Sequence, residues 1–409
     1  MNHTSNKKRK PKSSGKRNFQ HKKRSGGRGG RSGGKRNRRQ SSLVPEQLIQ
    51  KAEKIEVTNY ESPHLISELP LDEQLKFNLA KKGFKRPTEI QDKTLEASLS
   101  RKDVLGIART GTGKTAAFLI PVIEQLLSNN KKDQHALVVV PTRELAMQVT
   151  EEFRSMTERM KLYSSCFIGG TNIRRDISAL KRRNHLIVGT PGRLLDLHQR
   201  RCLRFDKFEC LILDEFDRML DMGFSKEVDR ILDGMRNRQQ TMLFSATLDK
   251  SQKSRIANIL NNPVEIKVST GETSGNHINQ DVVRLSNGED KFTVLRKMLK
   301  EDAFSKVIIF DETKHRVKKL SEQLNKAGFK SDQIQGNMSQ SARQKALKAF
   351  RNGKTNILVA TDVASRGIDV DDVSHVINYQ LPVNYETYIH RIGRTGRAGK
   401  EGQALTFVS

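Results

Sequence analysis

From about residue 60 onward, short runs of Val, Ile and Leu alternate with longer segments of helical period, and this rhythm constrains the fold more than any other feature of the chain. The runs at 104–107, 137–140, 186–188, 210–213 and 241–244 read as strands buried on both faces, because a strand with one wet face would alternate apolar with polar residues. Helical stretches at 114–128, 143–156 and 173–182 separate them. Strands alternating with helices predict a doubly wound, parallel α/β sheet. The rhythm stops at 269–276, a small polar stretch containing Gly271 and Gly275, and then resumes. Strands near 282–285, 307–310, 356–359, 376–379 and 404–408, with helices near 314–327 and 341–351, predict a second α/β domain. The 409 residues suit two domains of ~100–200 residues each, here 60–268 and 281–409 with a linker at 269–280. No sequence repeat relates the halves, so their similarity is architectural.

Charge is distributed unevenly. Residues 1–40 hold 16 Lys and Arg and no acid, more than half of the net +29. This segment is rich in Gly and Ser and lacks the apolar residues that offset chain entropy, so residues 1–59 read as a disordered basic arm. Such an arm suits sequence-independent contact with phosphate backbones through counterion release; a solubility tail, or a nuclear address at Lys7–Lys12, are the plainer readings. No apolar run reaches the ~18 residues of a membrane span, and no apolar segment follows the N-terminal charges as in a secretory signal. Cys166, Cys202 and Cys210 have no paired spacing, which points to free thiols in a reducing compartment, the cytoplasm.

The first predicted strand runs into Ala108-Arg109-Thr110-Gly111-Thr112-Gly113-Lys114-Thr115 and then a helix. Small residues let backbone N–H groups wrap phosphates, a lysine reaches the terminal oxygens, and a threonine hydroxyl ligates Mg²⁺. The general pattern opens with glycine, where this chain has Ala108. About a hundred residues on, a strand ends in Asp214-Glu215-Phe216-Asp217. An acid at the carboxyl end of a parallel strand can hold the metal, and its neighbour can orient the attacking water. Alone, those acids would be a solvated turn; with the loop, they imply nucleotide hydrolysis.

Further segments stand in a fixed order around these two: 83–91 (GFKRPTEIQ), 141–146 (PTRELA), Gly169-Gly170, 190–193 (TPGR), Ser245-Ala246-Thr247, 307–310 (VIIF), 361–369 (TDVASRGID) and 390–397 (HRIGRTGR). In this order the chain resembles the DEAD-box RNA helicases of superfamily 2, over nearly all of residues 60–409. The resemblance implies two RecA-like doubly wound parallel-sheet domains in tandem, preceded by the basic arm, with ATP and Mg²⁺ as cofactors and RNA or ribonucleoprotein complexes as partners of a monomer.

It also implies roles for single residues. Gln91 would read the adenine edge with an amide that both donates and accepts. Residues Ala108 through Thr115 would cradle phosphate, with Lys114 on the phosphates and Thr115 and Asp214 on the metal. Glu215 would activate water, Arg394 and Arg397 would act as arginine fingers from the second domain, and Asp369 would approach the ribose or the water. His390, Ser245 and Thr247 would couple the nucleotide to RNA. RNA itself would lie on Pro141, Thr142, Arg143, Gly170, Thr190, Gly192 and Arg193 in one domain and on Gly336, Gln340, Arg343 and Thr361 in the other. With no Trp and 5% aromatics, readout would be of backbone and 2′-OH.

Three departures from the family pattern stand out. Phe216 replaces alanine in the acidic motif, with altered packing near 245–247 expected. Ile66 occupies the position of an aromatic that stacks on adenine, so it either contacts the base weakly or anchors the core. The chain ends just after its last predicted strand, where relatives add a helix, implying a minimal domain or a truncated sequence. The expected activity is ATP-dependent unwinding of short RNA duplexes or remodelling of RNA–protein complexes, with an ATP-gated RNA clamp as the alternative.

Overall fold

The computed structural model describes residues 43–52, 60–109, 111–128, 135–268, 278–286, 288–365, 370, 372–396 and 402–408. The first domain is built on strands β1 (Val104–Ile107), β2 (Ala136–Val139), β3 (Ser164–Phe167), β4 (Leu186–Gly189), β5 (Cys210–Leu213), β6 (Gln240–Ser245) and β7 (Val264–Lys267). Their spatial order is β3-β4-β2-β5-β6-β1-β7, every pairing parallel. Successive side chains feed opposite faces. Leu137, Val139, Leu211, Leu213 and Leu243 pack into one apolar layer, while Val138, Ile212, Met242 and Phe244 pack into the other. Helices cover both layers, which is why the central strands are apolar throughout.

The second domain has β8 (Ile278–Arg284), β9 (Val307–Phe310), β10 (Ser331–Ile334), β11 (Ile357–Ala360), β12 (His375–Asn378) and β13 (Gly402–Val408). These follow the order β10-β11-β9-β12-β13-β8, again all parallel. Connections of this kind bring the carboxyl ends of the strands to one edge of each sheet, where a doubly wound fold holds its ligands. No described helix is long and apolar enough to cross a membrane.

The structure corrects two expected boundaries. Residues 43–52 fall within the expected arm, yet they dock on the second domain. Pro45–Leu48 forms a 3-10 turn, Leu48 is fully buried, and Gln50 exchanges backbone hydrogen bonds with Gln280 of β8 at 2.9 and 2.8 Å. The physical reason is composition, since Leu43 and Leu48 supply the apolar surface that residues 1–40 lack. Residues 1–42 and 53–59 lie outside the described residues. The expected linker, 269–280, is shortened at its end because Ile278, Asn279 and Gln280 belong to β8; the remainder of it also lies outside the described residues.

Candidate nucleotide and RNA site

The glycine loop joins the carboxyl end of β1 to the helix Lys114–Ser128. Ala108 extends the sheet, its N–H donating to the Ser245 carbonyl at 3.0 Å, so this position does not need glycine. Gly111 and Gly113 do, with φ of +86° and +95°. A Cβ at Gly113 would also sit 2.4 Å from Gln91 Nε2 and 2.7 Å from Thr88 Oγ1. Lys114 is buried and donates from Nζ to the Ala108 carbonyl at 2.8 Å, and Thr112 closes the loop onto the Arg109 carbonyl. Thr115 is the second residue of the helix. Thr110 lies outside the described residues.

Gln91 touches this loop directly. It stands in the first turn of the helix Glu89–Leu99, where its Oε1 accepts from Thr88 N–H at 3.0 Å and its Nε2 donates to the Gly113 carbonyl at 3.1 Å. One amide hydrogen and one lone pair are left over, enough for a further donor–acceptor pair. Asp92, next to it, accepts from the hydroxyls of Tyr60 and Ser62. Ile66 is buried at 3% exposure among Leu69, Leu71 and Leu75. It anchors the core and offers no face to a base.

The acidic motif follows β5. Burial is the main cause that pushes the Asp214 carboxyl up to about 6, reinforced by Glu215 and Asp217 and opposed by the Lys114 ammonium. Glu215 sits in the left-handed region at φ 52°, a placement that costs of order 1–3 kcal/mol and is typical of functional turns. Its carboxylate accepts from Arg218 at 2.9 Å, a partner sequence reasoning missed. Asp217 binds the end of β6, accepting from Ala246 N (3.1 Å), Thr247 N (2.9 Å) and Thr247 Oγ1 (3.0 Å). Ser245 Oγ donates to the Thr247 carbonyl. The 245–247 segment is therefore locked to the acidic motif. Phe216 points away into the apolar layer with Met219 and Leu213, fully buried, and leaves those contacts intact.

The order of the first sheet divides these loops into two groups. Loops after β5, β6 and β1 carry the residues assigned to the nucleotide, and loops after β2, β3 and β4 carry those assigned to RNA. Pro141 and Thr142 are buried, Thr142 capping the helix Arg143–Met156 by accepting from Leu145 N–H. Arg143 lies over Gly169-Gly170, where a Cβ on Gly170 would come within 2.5 Å of its guanidinium. Thr190 precedes the helix Pro191–Gln199; Gly192 is open to solvent, and Arg193 is held by Asp176 and the Thr171 carbonyl.

The second domain meets this edge. Arg343 donates from Nε to Glu144 Oε1 at 2.9 Å and from Nη2 to the Ala364 carbonyl at 3.0 Å, with Nη2 also 2.8 Å from Glu144 Oε1 as an ion pair. Gln340 reaches Glu144 and Arg143, both at 3.4 Å. Two residues assigned to RNA thus clasp the first domain, and Glu144, unassigned from sequence, is the centre of the clasp. Thr361 is nearly buried after β11, and Gly336 is exposed after β10. The helix Tyr385–Ile392 carries His390 and Arg391, the latter paired with Asp362 (Nη2 at 2.8 Å) and stacked over Phe310. Arg394 is buried just beyond it, its Nε 3.4 Å from the His390 carbonyl. Asp369 and Arg397 lie outside the described residues.

A glycine loop that only glycine can form, a buried ammonium and a buried strand-end carboxylate suit a nucleotide polyphosphate. On two parallel-sheet domains, with an arginine-bearing helix on the second, they define a two-domain RecA-like fold with a candidate nucleotide site. A family model for the DEAD/DEAH box helicase matches residues 88–256, and one for the helicase conserved C-terminal domain matches 290–399. The chain belongs to the DEAD-box ATP-dependent RNA helicase family. It is 43% identical over 342 residues to the ATP-dependent RNA helicase CshA of Listeria monocytogenes, covering 84% of this chain and 65% of that one. Identity to the DEAD-box ATP-dependent RNA helicase CshA of Geobacillus kaustophilus is also 43%, covering 84% and 73%. Among solved structures it is similar to S. cerevisiae Dbp5 bound to RNA and ADP BeF3, at a TM-score of 0.74 and 31% identity, covering 84% and 89%. The chain spans just under two thirds of the length of the Listeria relative.

Proposed function

We propose that this chain is an RNA-dependent ATPase that closes its two domains over single-stranded RNA, opens short duplexes or RNA–protein contacts locally, and releases the strand on hydrolysis. The observation that carries this reading is the Asp217 lock. One carboxylate joins the acidic motif to the 245–247 segment through three hydrogen bonds, so rearrangement at the nucleotide cannot occur without moving the neighbouring loop. The Glu144–Arg343 clasp supports it by tying the helices Arg143–Met156 and Gln340–Arg351, which carry residues assigned to RNA, in one arrangement.

Lys114 and the glycine loop hold the phosphates, Gln91 senses the base while bonded to the same loop, and Glu215 orients water. Arg394 and Arg397 bring positive charge from the second domain, so turnover waits for closure. Mg²⁺, held through Thr115 and Asp214, would neutralise charge on the phosphate oxygens. Among the described residues no group of three or more His, Cys, Asp or Glu forms a cage, and magnesium held by one carboxylate and phosphates needs none. A cytoplasmic location belongs to the same proposal, supported by three free cysteines.

The test is ATP turnover with and without single-stranded RNA or DNA, followed by strand displacement on a short RNA duplex. RNA-stimulated turnover with displacement is expected. Equal turnover with and without RNA would overturn the coupling, and stimulation without displacement would favour a clamp.

A further inference from the structure

We propose that Leu48, in the segment that precedes the first domain, is a positioning residue for the arginine-finger helix of the second domain. Leu48 is fully buried in a cluster with Ile278 of β8, Ala404 of β13, and Tyr388 and Ile392 of the helix Tyr385–Ile392. Tyr388 and Ile392 are four residues apart and share one face. His390 lies two residues from each, about 200° round the helix at ~100° per residue, so it projects from the side opposite Leu48. The segment thus supports the back of the helix whose front carries His390 and whose end leads to Arg394.

Polar contacts fix the segment in register. Gln50 forms an antiparallel bridge with Gln280 on the edge strand β8, and Gln280 Nε2 donates to Gln50 Oε1 at 3.2 Å. The Tyr388 hydroxyl donates to Gln280 Oε1 at 2.9 Å, which links the bridge to the helix by a second route. Ala52 N–H donates to Asn279 Oδ1 at 2.8 Å, and Glu46 pairs with Arg284 at 2.8 Å. The tie also reaches the first domain. Residues 53–59 are all that join Ala52 to Tyr60, whose hydroxyl bonds Asp92 beside Gln91. Eight peptide steps span at most about 26–29 Å. Domain separation at that point is therefore bounded while the segment stays docked.

This inference rests on the hydrolysis reading above, and its test uses the full chain. Limited trypsin digestion should remove residues up to Arg39 quickly and cut after Lys51 slowly, whereas Leu48→Asp should make Lys51 as labile as the arm. Leu48→Ala should lower kcat for RNA-stimulated turnover ten- to a hundredfold, the scale on which an ångström of misplacement acts. KM for ATP should stay within about twofold, because the phosphate loop and Gln91 lie in the other domain, and Leu48→Met should restore most of kcat. Leu324→Ala, in a separate core cluster of the same domain, serves as the stability control: a lower melting temperature with unchanged kcat. Unchanged kcat in Leu48→Ala, an equal loss in Leu324→Ala, or rapid cutting at Lys51 in the wild type would overturn the positioning. Absence of turnover in the wild type would overturn the hydrolysis reading and the positioning with it, while the protease pattern would still report docking separately.

Discussion

Arg343→Ala should open the clasp between the domains and abolish most RNA-stimulated turnover while leaving ATP binding intact. The Arg343 and Glu144 side chains are 11% and 6% exposed and form an ion pair with one charge-assisted hydrogen bond, from Nε. Removing one partner of a buried pair costs about 3–5 kcal/mol when the other stays buried. Glu144 escapes that cost if the domains part, because water then solvates it, so the loss falls on the closed state alone. At 1.4 kcal/mol per decade, closed molecules become rarer by about two to three and a half orders of magnitude relative to open ones. That is an upper bound, since Gln340 Nε2 still stands 3.4 Å from Glu144. Fluorescence energy transfer between labels on the two domains, with RNA and a non-hydrolysable ATP analogue, reads the closed fraction; steady-state turnover against RNA concentration reads its consequence. The exchanged pair Glu144→Arg with Arg343→Glu should recover part of both signals, which neither single substitution does. A single Arg343→Ala variant with closure and turnover within about twofold of wild type would refute the reasoning.

Glu215→Gln should abolish turnover yet keep ATP and RNA binding, because an acceptor for Arg218 remains and only water activation is lost; Arg394→Ala should lower kcat by roughly 10³–10⁵, and a twofold effect would mean the domains do not share the site. Asp214 is raised from 3.8 to about 6 by burial, so folding favours its protonated form: that stability is present below about pH 4 and is lost as pH rises through 6. Two pKa units are about 3 kcal/mol, and Asp214→Asn should therefore raise the melting temperature in EDTA clearly at pH 7.5 and only about a third as much at pH 4.5; equal gains at both would exclude the burial argument. Ile66→Phe should overpack its cluster by about 1–3 kcal/mol, lowering the melting temperature and leaving KM for ATP unchanged, and a several-fold lower KM would restore the adenine contact. Deleting residues 1–40 should flatten the slope of log K for single-stranded RNA against log salt by about 3–5 units if five or six charges engage, and an unchanged slope would reduce the arm to a solubility tail.

What the sequence determined by itself is the class of fold and the placing of the candidate loops at strand ends. Strands β1, β5 and β9 read off at their true limits because each is buried on both faces and so is apolar at every position. The loop 108–115 and the acids 214–217 could be placed at the carboxyl ends of β1 and β5 for a related reason, since each follows an apolar strand directly at a fixed local spacing. Strands β3, β7 and β10 were not legible, and all three are sheet edges. Lys267 and Asp332 keep contact with water there, and Ser164 to Cys166 are only half-buried, so no apolar run marks these strands. Tertiary structure alone decided the long-range partners. Nothing local says that Arg343 meets Glu144, that Asp217 rather than Asp214 holds the 245–247 segment, or that Ile66 faces the core. The end of the basic arm shows the same limit most clearly. Leu48 has no signal in its own neighbourhood, and becomes a core residue only because β8, β13 and the helix Tyr385–Ile392, more than two hundred residues away, leave an apolar hollow of its size.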